Sequence, residues 1–293
     1  VSDPLQILTR ACKEVGISAD NAELIRAGEN TLYRLAGGIV ARVSRPGQTD
    51  VARKETHVSR WLNQSGIPAV QLFQNIPQPI KVKQQAVTFW HELPPHRTTD
   101  LEQTAEVLRR IHALQPPTDF ILPELTPFVR LEQRIAESTA FNRAQQKWLL
   151  SHLHSLADQY ENRPRGMLPS PVHGDAGGGN IVLPCDQSTP VVLDLERFAY
   201  GPPEWDLTSI AVSCFTFGTV TTDEWKSFSS SYGRDVTEWE GYPLLRDTRE
   251  LRKVTFAAQI ASQRQDLVSE AHYRLACIQG EVGPRPWHWK PVP

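Results

Sequence analysis

Apolar and polar positions alternate in short runs over roughly the first ninety residues, then recur at helical spacing along most of the remainder. After an opening helical pattern, AELIR (22–26), TLYRLA (31–36) and IVARVSR (39–45) read as strands, separated by Gly28 and by the Gly37-Gly38 turn. A helix is predicted over 50–64, with Val51, Val58, Trp61 and Leu62 on its apolar side; Gly66 and Pro68 stop it. Two further apolar segments follow, the second ending in AVTFWHELPP (86–95). From Thr98 onward the pattern is helical: Thr99 and Glu102 have capping-box spacing, and Leu101, Leu108, Ile111 and Leu114 recur at helical intervals. One long helical stretch is expected over 128–162. GMLPSP then breaks the chain, and three short apolar segments appear, PV before His173, NIVL (180–183) and PVVLDL (190–195), before helices resume beyond Glu204. The fold class expected is α+β with two lobes, a small β-rich lobe over 1–92 and a larger, mainly helical lobe over 93–293.

Composition narrows the function. The chain has 293 residues, and its 31 basic and 33 acidic side chains leave a formal net charge of −2, which gives no electrostatic case for nucleic acid. No apolar run approaches the roughly 20 residues of a membrane-spanning helix, and VSDPLQILTRACKEV carries charge too early for a secretory signal. A cytoplasmic protein is therefore expected. Cys12, Cys185, Cys214 and Cys277 lie far apart with no C-x-x-C pair, and read as reduced, buried thiols.

The stretch VHGDAGGGNIVL (172–183) concentrates the candidate chemistry. No Lys follows its glycines, so it is not a Walker-type phosphate loop, and it lacks the G-x-G-x-x-G spacing of a dinucleotide fingerprint. It does offer Asp175 and Asn180, and fourteen residues after Asn180 an apolar strand ends in Asp194. Phosphoryl transfer needs this set: one carboxylate to take a proton from the attacking hydroxyl, and an amide oxygen with a second carboxylate to hold Mg²⁺ against nucleotide phosphates. The alternative is that Gly-Asp and Gly-Asn merely form turns between strands.

VHGDAGGGN followed by VVLDLE, with GPPEWDL close behind, resembles the aminoglycoside phosphotransferase and choline kinase family, whose members have a protein-kinase-like fold. The resemblance runs over roughly 22–280. It implies an ATP- or GTP-dependent transfer to a small-molecule hydroxyl, such as that of an aminoglycoside or another antibiotic, and hence a role in resistance or in metabolism. It implies Asp175 as the base, Asn180 and Asp194 as Mg²⁺ ligands, and His173 as a brace for the loop. Gly177-Gly178 stand where the family's loop more commonly reads differently.

Upstream, the resemblance asks for a glycine-containing hairpin over the phosphates, supplied by Gly28, Asn30 and Thr31. It asks for a cation on the third strand tethered by a helical acid. Arg42 stands there where Lys is usual, and Glu55 is the matching acid; the other reading makes them a surface ion pair. By the same resemblance, the His91 carbonyl and the Leu93 amide face adenine, with Trp90 behind them. HELPPH is no metalloprotease helix, since its second His is five positions on and two prolines intervene.

Only eleven residues separate Asp194 from Asp206, which leaves no room for a peptide-docking segment, so no protein partner is implied. Asp206 is expected to anchor the catalytic loop, and Glu196 either to assist the metal through water or to cap local structure. Acceptor recognition is expected after residue 204, where twelve acidic and ten basic side chains nearly balance. The competing function is a nucleotide-binding, kinase-like regulatory protein with little catalysis.

Overall fold

The computed structural model describes residues 3–28, 30–73, 76–177 and 179–292. The chain packs as two compact units, one of Val1–Gln103, Ala113–Pro123 and Gly178–Phe198, the other of Thr104–His112, Glu124–Gly177 and Ala199–Pro293.

The first unit opens with α1 (Pro4–Val15), capped by the Asp3 carboxylate on the Leu5 amide and closed by Gly16 at φ 74°. Strands β1 (Glu23–Ala27), β2 (Thr31–Leu35) and β3 (Ile39–Val43) follow, then α2 (Thr49–Gln64), β4 (Ile80–Val82), β5 (Gln85–His91) and β6 (His96–Thr98). The first five strands form one antiparallel sheet in the order β1-β2-β3-β5-β4. Alternation on β3 sends Ile39, Ala41 and Val43 to one face, where they meet Ile7, Leu8, Ala11 and Cys12 of α1 together with Val87 and Phe89. Helix α2 also packs on β5, which is why β5 is buried from Gln85 to Trp90 instead of alternating. The buried stripe of α2 runs through Ala52, Glu55, Val58, Ser59 and Leu62, so a carboxylate sits in the middle of a packed face.

The chain continues through α3 (Leu101–His112), α4 (Leu131–Glu137), α5 (Arg143–Glu161) and β7 (Ser170–Val172). Then come β8 (Ile181–Pro184), β9 (Val191–Val192), β10 (Ala199–Gly201), α6 (Glu204–Phe215), α7 (Thr222–Tyr232), α8 (Tyr242–Ala261) and α9 (Val268–Ile278). Strands β6, β8 and β9 make a three-stranded sheet in the first unit, and β9 is tied to residues 68–70 by Val70 N to Val192 O and Val192 N to Pro68 O. The second unit centres on α8, whose Leu251, Val254, Ala257, Ala258 and Ala261 pack with Leu131, Leu149, Leu153 and Leu275. Trp205, Trp225, Trp239 and Tyr242 are all buried.

Three expectations need correction. The single helix over 128–162 is two helices: the chain turns extended at Ser138, and Asn142 with Gln145 forms a full capping box that starts α5 afresh. Start of α3 falls to Asp100, whose carboxylate accepts from the Gln103 amide, while the Thr99 hydroxyl donates to Ile181 O. Cys185 is exposed, while the other three thiols are buried, and all four are free. Among the described residues no helix is long and apolar enough to cross a membrane.

Candidate active site

In the first unit, β3 directs Arg42 to the sheet face opposite α1, and α2 brings Glu55 to it. The two form an ion pair with Glu55 only 3% exposed, so this is a buried pair and not a surface one. Arg42 Nη2 also meets Glu196 Oε2 at 2.8 Å. The Asn30 carboxamide, oriented by its hydrogen bonds, turns its oxygen to Arg42 Nε at 3.1 Å. A very small cavity, of about 10 Å³, lies here, lined by Asn30, Arg42, Ser44, Glu55, Thr88 and Glu196 among others. Glu196 is thus a second acid on the Arg42 guanidinium.

Burial disfavours the charge on Arg42, but Glu55, Asp194 and Glu196 outweigh it and hold its pKa above the ordinary value. Glu55 is pushed up to about 7, first by burial, with Glu196 and Asp194 adding to the rise and Arg42 opposing it. Arg42→Ala therefore leaves a buried carboxylate without its cation, and about 3 kcal/mol of stability is expected to go. Urea denaturation checks this: Arg42→Ala/Glu55→Gln should recover a substantial part of the loss, because the stranded charge is gone.

Lys54, one residue before Glu55, donates to Glu196 O at 2.7 Å and Phe198 O at 2.9 Å, pinning the 3-10 turn Leu195–Arg197 that follows Asp194. Its only sequence signal was adjacency to Glu55. Asp194 itself has φ 48° and ψ 67°, a left-handed conformation that an aspartate tolerates better than most residues. Leu193 N donates to Asn180 O at 2.8 Å, and Ile181 pairs with Val192. Asn180 and Asp194 therefore stand at the same end of the β8–β9 hairpin. Their donors are hard oxygens, a set suited to Mg²⁺, which takes few protein ligands. Among the described residues no group of three or more His, Cys, Asp or Glu is arranged to hold a metal.

The remaining first-unit candidates lie on strand ends. Gly28 has an ordinary backbone conformation, and a Cβ there would come no closer than 3.6 Å to another atom. Neither strain nor crowding demands glycine at this position. Asn30 and Thr31 complete that turn into β2, while Glu29 lies outside the described residues. Trp90 is buried and donates from Nε1 to Thr88 Oγ1 at 2.8 Å. His91 donates its amide to Gln71 O, and the Leu93 amide takes no partner among the described residues.

In the second unit, β7 leads into His173, Gly174 and Asp175. The Asp206 carboxylate, fully buried at the start of α6, accepts from His173 N at 2.7 Å, Gly174 N at 2.9 Å and His112 Nε2 at 3.1 Å. Asp175 N donates to His173 Nδ1 at 3.3 Å, and Trp205 Nε1 donates to Gly174 O at 2.8 Å. The loop is thus held from both sides, with His173 as the brace and Asp206 as the anchor that the sequence suggests. Gly178, farther along, lies outside the described residues.

Burial alone would raise the Asp175 pKa; Lys253, Arg249, His173 and Arg252 outweigh it and hold the carboxyl below its ordinary range. Asp206 is likewise lowered: its burial is outweighed by the hydrogen bond and charge of His112, with His173 and Arg249 contributing. Sequence reasoning missed the α8 cations, although Arg249, Arg252 and Lys253 have the three- and four-residue spacing of one helix side.

Residues 22–245 match the model of the phosphotransferase enzyme family. Comparison with curated protein sequences found no match. Among solved structures, the choline kinase LicA from Streptococcus pneumoniae is similar, at 15% identity and a TM-score of 0.62 over 93% of this chain and 98% of that one. Aminoglycoside phosphotransferase APH(3'')-Id from Streptomyces rimosus is 20% identical, with a TM-score of 0.63 over 85% and 98%. Amicoumacin kinase hAmiN, in complex with AMP-PNP, Ca²⁺ and Ami, gives a TM-score of 0.71 at 13% identity, over 97% and 95%. These likenesses show the kinase-like α+β fold that the sequence led us to expect.

Proposed function

This chain belongs to the phosphotransferase enzyme family, and from that membership we propose that Asp175 is the base of the reaction and that Asn180 and Asp194 hold Mg²⁺. It is an enzyme, a small-molecule phosphotransferase. The donor in this reading is ATP or GTP, and the acceptor is a small-molecule hydroxyl.

The observation that carries the reading is the Asp175 loop. Two consecutive backbone amides, those of His173 and Gly174, are fixed by one buried carboxylate, and surrounding cations keep Asp175 ionised. A base must be unprotonated and held in place before its substrate arrives; the lowered pKa of Asp175 and the anchored loop support that reading. Asp175 accepts the proton of the acceptor hydroxyl. As the new O–P bond forms, the bond from the γ-phosphorus to the bridging oxygen breaks, and its electron pair leaves with the nucleoside diphosphate. Arg42, held by Glu55, offers its guanidinium to the nucleotide phosphates in place of Glu196. Mg²⁺, when bound, neutralises charge on the phosphates.

In this reading residues 1–92 form the nucleotide-binding lobe and 93–293 the catalytic and acceptor-binding lobe. Gly28, Asn30 and Thr31 cover the phosphates, while His91, Leu93 and Trp90 receive the base. A cytoplasmic setting suits the nucleotide requirement. An antibiotic acceptor would make the role one of resistance. The test is Mg²⁺-dependent release of ADP or GDP against hydroxylated antibiotics, amino alcohols, sugars and hydroxy acids, with Asp175→Asn run beside the native chain. Release that persists unchanged in the variant would overturn the assignment of the base. Asp194→Ala is expected to abolish Mg²⁺-dependent nucleotide binding, measured by calorimetry with and without the metal, because Asn180 alone supplies only a neutral oxygen.

A further inference from the structure

Asp194 is exposed, and the backbone on either side of it decides where its carboxylate points. At φ 48° and ψ 67° that backbone is left-handed, a conformation that costs a residue with a Cβ and persists only where its surroundings hold it. On the upstream side the hold is the β8–β9 hairpin, through Leu193 N to Asn180 O at 2.8 Å. On the downstream side the chain enters the 3-10 turn Leu195–Arg197, closed by Phe198 N to Leu195 O at 3.3 Å. A 3-10 turn this short has poor hydrogen-bond geometry and holds little by itself.

Lys54 strengthens that downstream side. Half-buried on α2, it sends its ammonium to Glu196 O at 2.7 Å and to Phe198 O at 2.9 Å, distances typical of charge-assisted hydrogen bonds. The two acceptors lie two and four residues after Asp194, so one side chain spans the turn. Both are backbone carbonyls, and the ammonium ties the turn down instead of pairing with a side-chain acid. A compact ammonium with rotatable donors on a flexible stem suits that task. The next residue of α2, Glu55, pairs with Arg42, and Arg42 meets Glu196 Oε2 at 2.8 Å. Consecutive α2 residues thus hold Glu196 by its carbonyl and, through Arg42, by its carboxylate.

We propose that Lys54 is a positioning residue for the Mg²⁺ carboxylate: by fixing the turn after Asp194, it sets how far Mg²⁺ tightens nucleotide binding. The inference rests on Asp194 being a ligand of the metal. In this role Lys54 acts through Asp194 and not on the phosphates, which fall to Arg42. A metal site depends on the groups that orient its ligands, and losing one of them costs about 10- to 100-fold in metal affinity. Without the ammonium the turn keeps only its own 3-10 bond and the Asp194 carboxylate spreads over more orientations. Part of the binding free energy then goes into ordering it.

The experiment is calorimetric titration of the full chain with AMP-PNP and with GMP-PNP, each in Mg²⁺ and in EDTA, for the native chain, Lys54→Met and Asp194→Ala. The ratio of the two affinities is the gain due to the metal. Lys54→Met keeps an apolar stem of similar length and removes the donors. Its affinity in EDTA is expected to stay within about twofold of native, while the gain falls about tenfold or more. An equal loss in Mg²⁺ and in EDTA, with the gain unchanged, overturns the inference, because Lys54 would then serve only the fold of its unit. Should Lys54→Met fail to fold, Lys54→Gln, whose amide is too short to span both carbonyls, is read by the same ratio. A native gain in the Lys54 variant beside a lost gain in Asp194→Ala overturns the inference alone and leaves Asp194 as a ligand. A gain that survives in Asp194→Ala, or no gain in the native chain, overturns that assignment and the inference with it.

Discussion

Asp175→Asn is expected to lower turnover about a thousandfold, within the range that a positioned general base contributes, and to leave nucleotide affinity nearly unchanged. The asymmetry follows from what the side chain does. Asn preserves the size and the Asp175 N to His173 Nδ1 bond, so the loop stays where Asp206 holds it. It cannot accept the hydroxyl proton. Initial rates of ADP release and calorimetric titration with nucleotide measure the two effects separately. Near-native turnover in the variant would exclude Asp175 as the base. The pH profile carries a second signature. Because neighbouring cations hold the Asp175 carboxyl below its ordinary range, the acid limb of kcat should fall below the pH at which a free aspartate titrates. Removing a cation from α8 should move that limb upward.

Asp206→Ala is expected to cost about 3–5 kcal/mol of stability, a large share of what a domain possesses. One fully buried carboxylate satisfies His173 N, Gly174 N and His112 Nε2, and its loss orphans all three donors. Turnover should fall with stability, because the Asp175 loop loses its anchor. Asp206→Asn keeps one acceptor oxygen and should lie between the two. Urea midpoints for the three chains test the order, and equal midpoints for native and alanine forms would refute the anchoring role. The pH dependence has a definite sign. With its folded pKa lowered, Asp206 contributes stability above the ordinary aspartate pKa of about 3.9, and that contribution is lost as pH falls through the folded value. The alanine variant should lack this part of the acid transition.

The sequence by itself determined the elements whose signals are local. Strands β1 to β3 appeared as short apolar runs between glycines, and α2 as a helical period stopped by Gly66 and Pro68. The spacing of Asp175, Asn180 and Asp194 was legible because a loop and a hairpin fix it along the chain. Even the break between α4 and α5 had a local signal, Asn142 three residues before Gln145, which lay inside a longer apolar period and was read through. Tertiary structure decided matters of charge. The family resemblance matches Glu55 to Arg42 in the sequence, but only the packing of α2 buries the pair and adds Glu196 to the same guanidinium. Arg249, Arg252 and Lys253 lie some seventy-five residues beyond Asp175, and near balance of charge over 201–293 concealed them. Coulomb interactions depend on distance and burial, neither of which is carried by sequence spacing once the partners sit on different elements. The electrostatic character around Asp175 therefore emerged only when α8 was packed beneath the loop through Trp205.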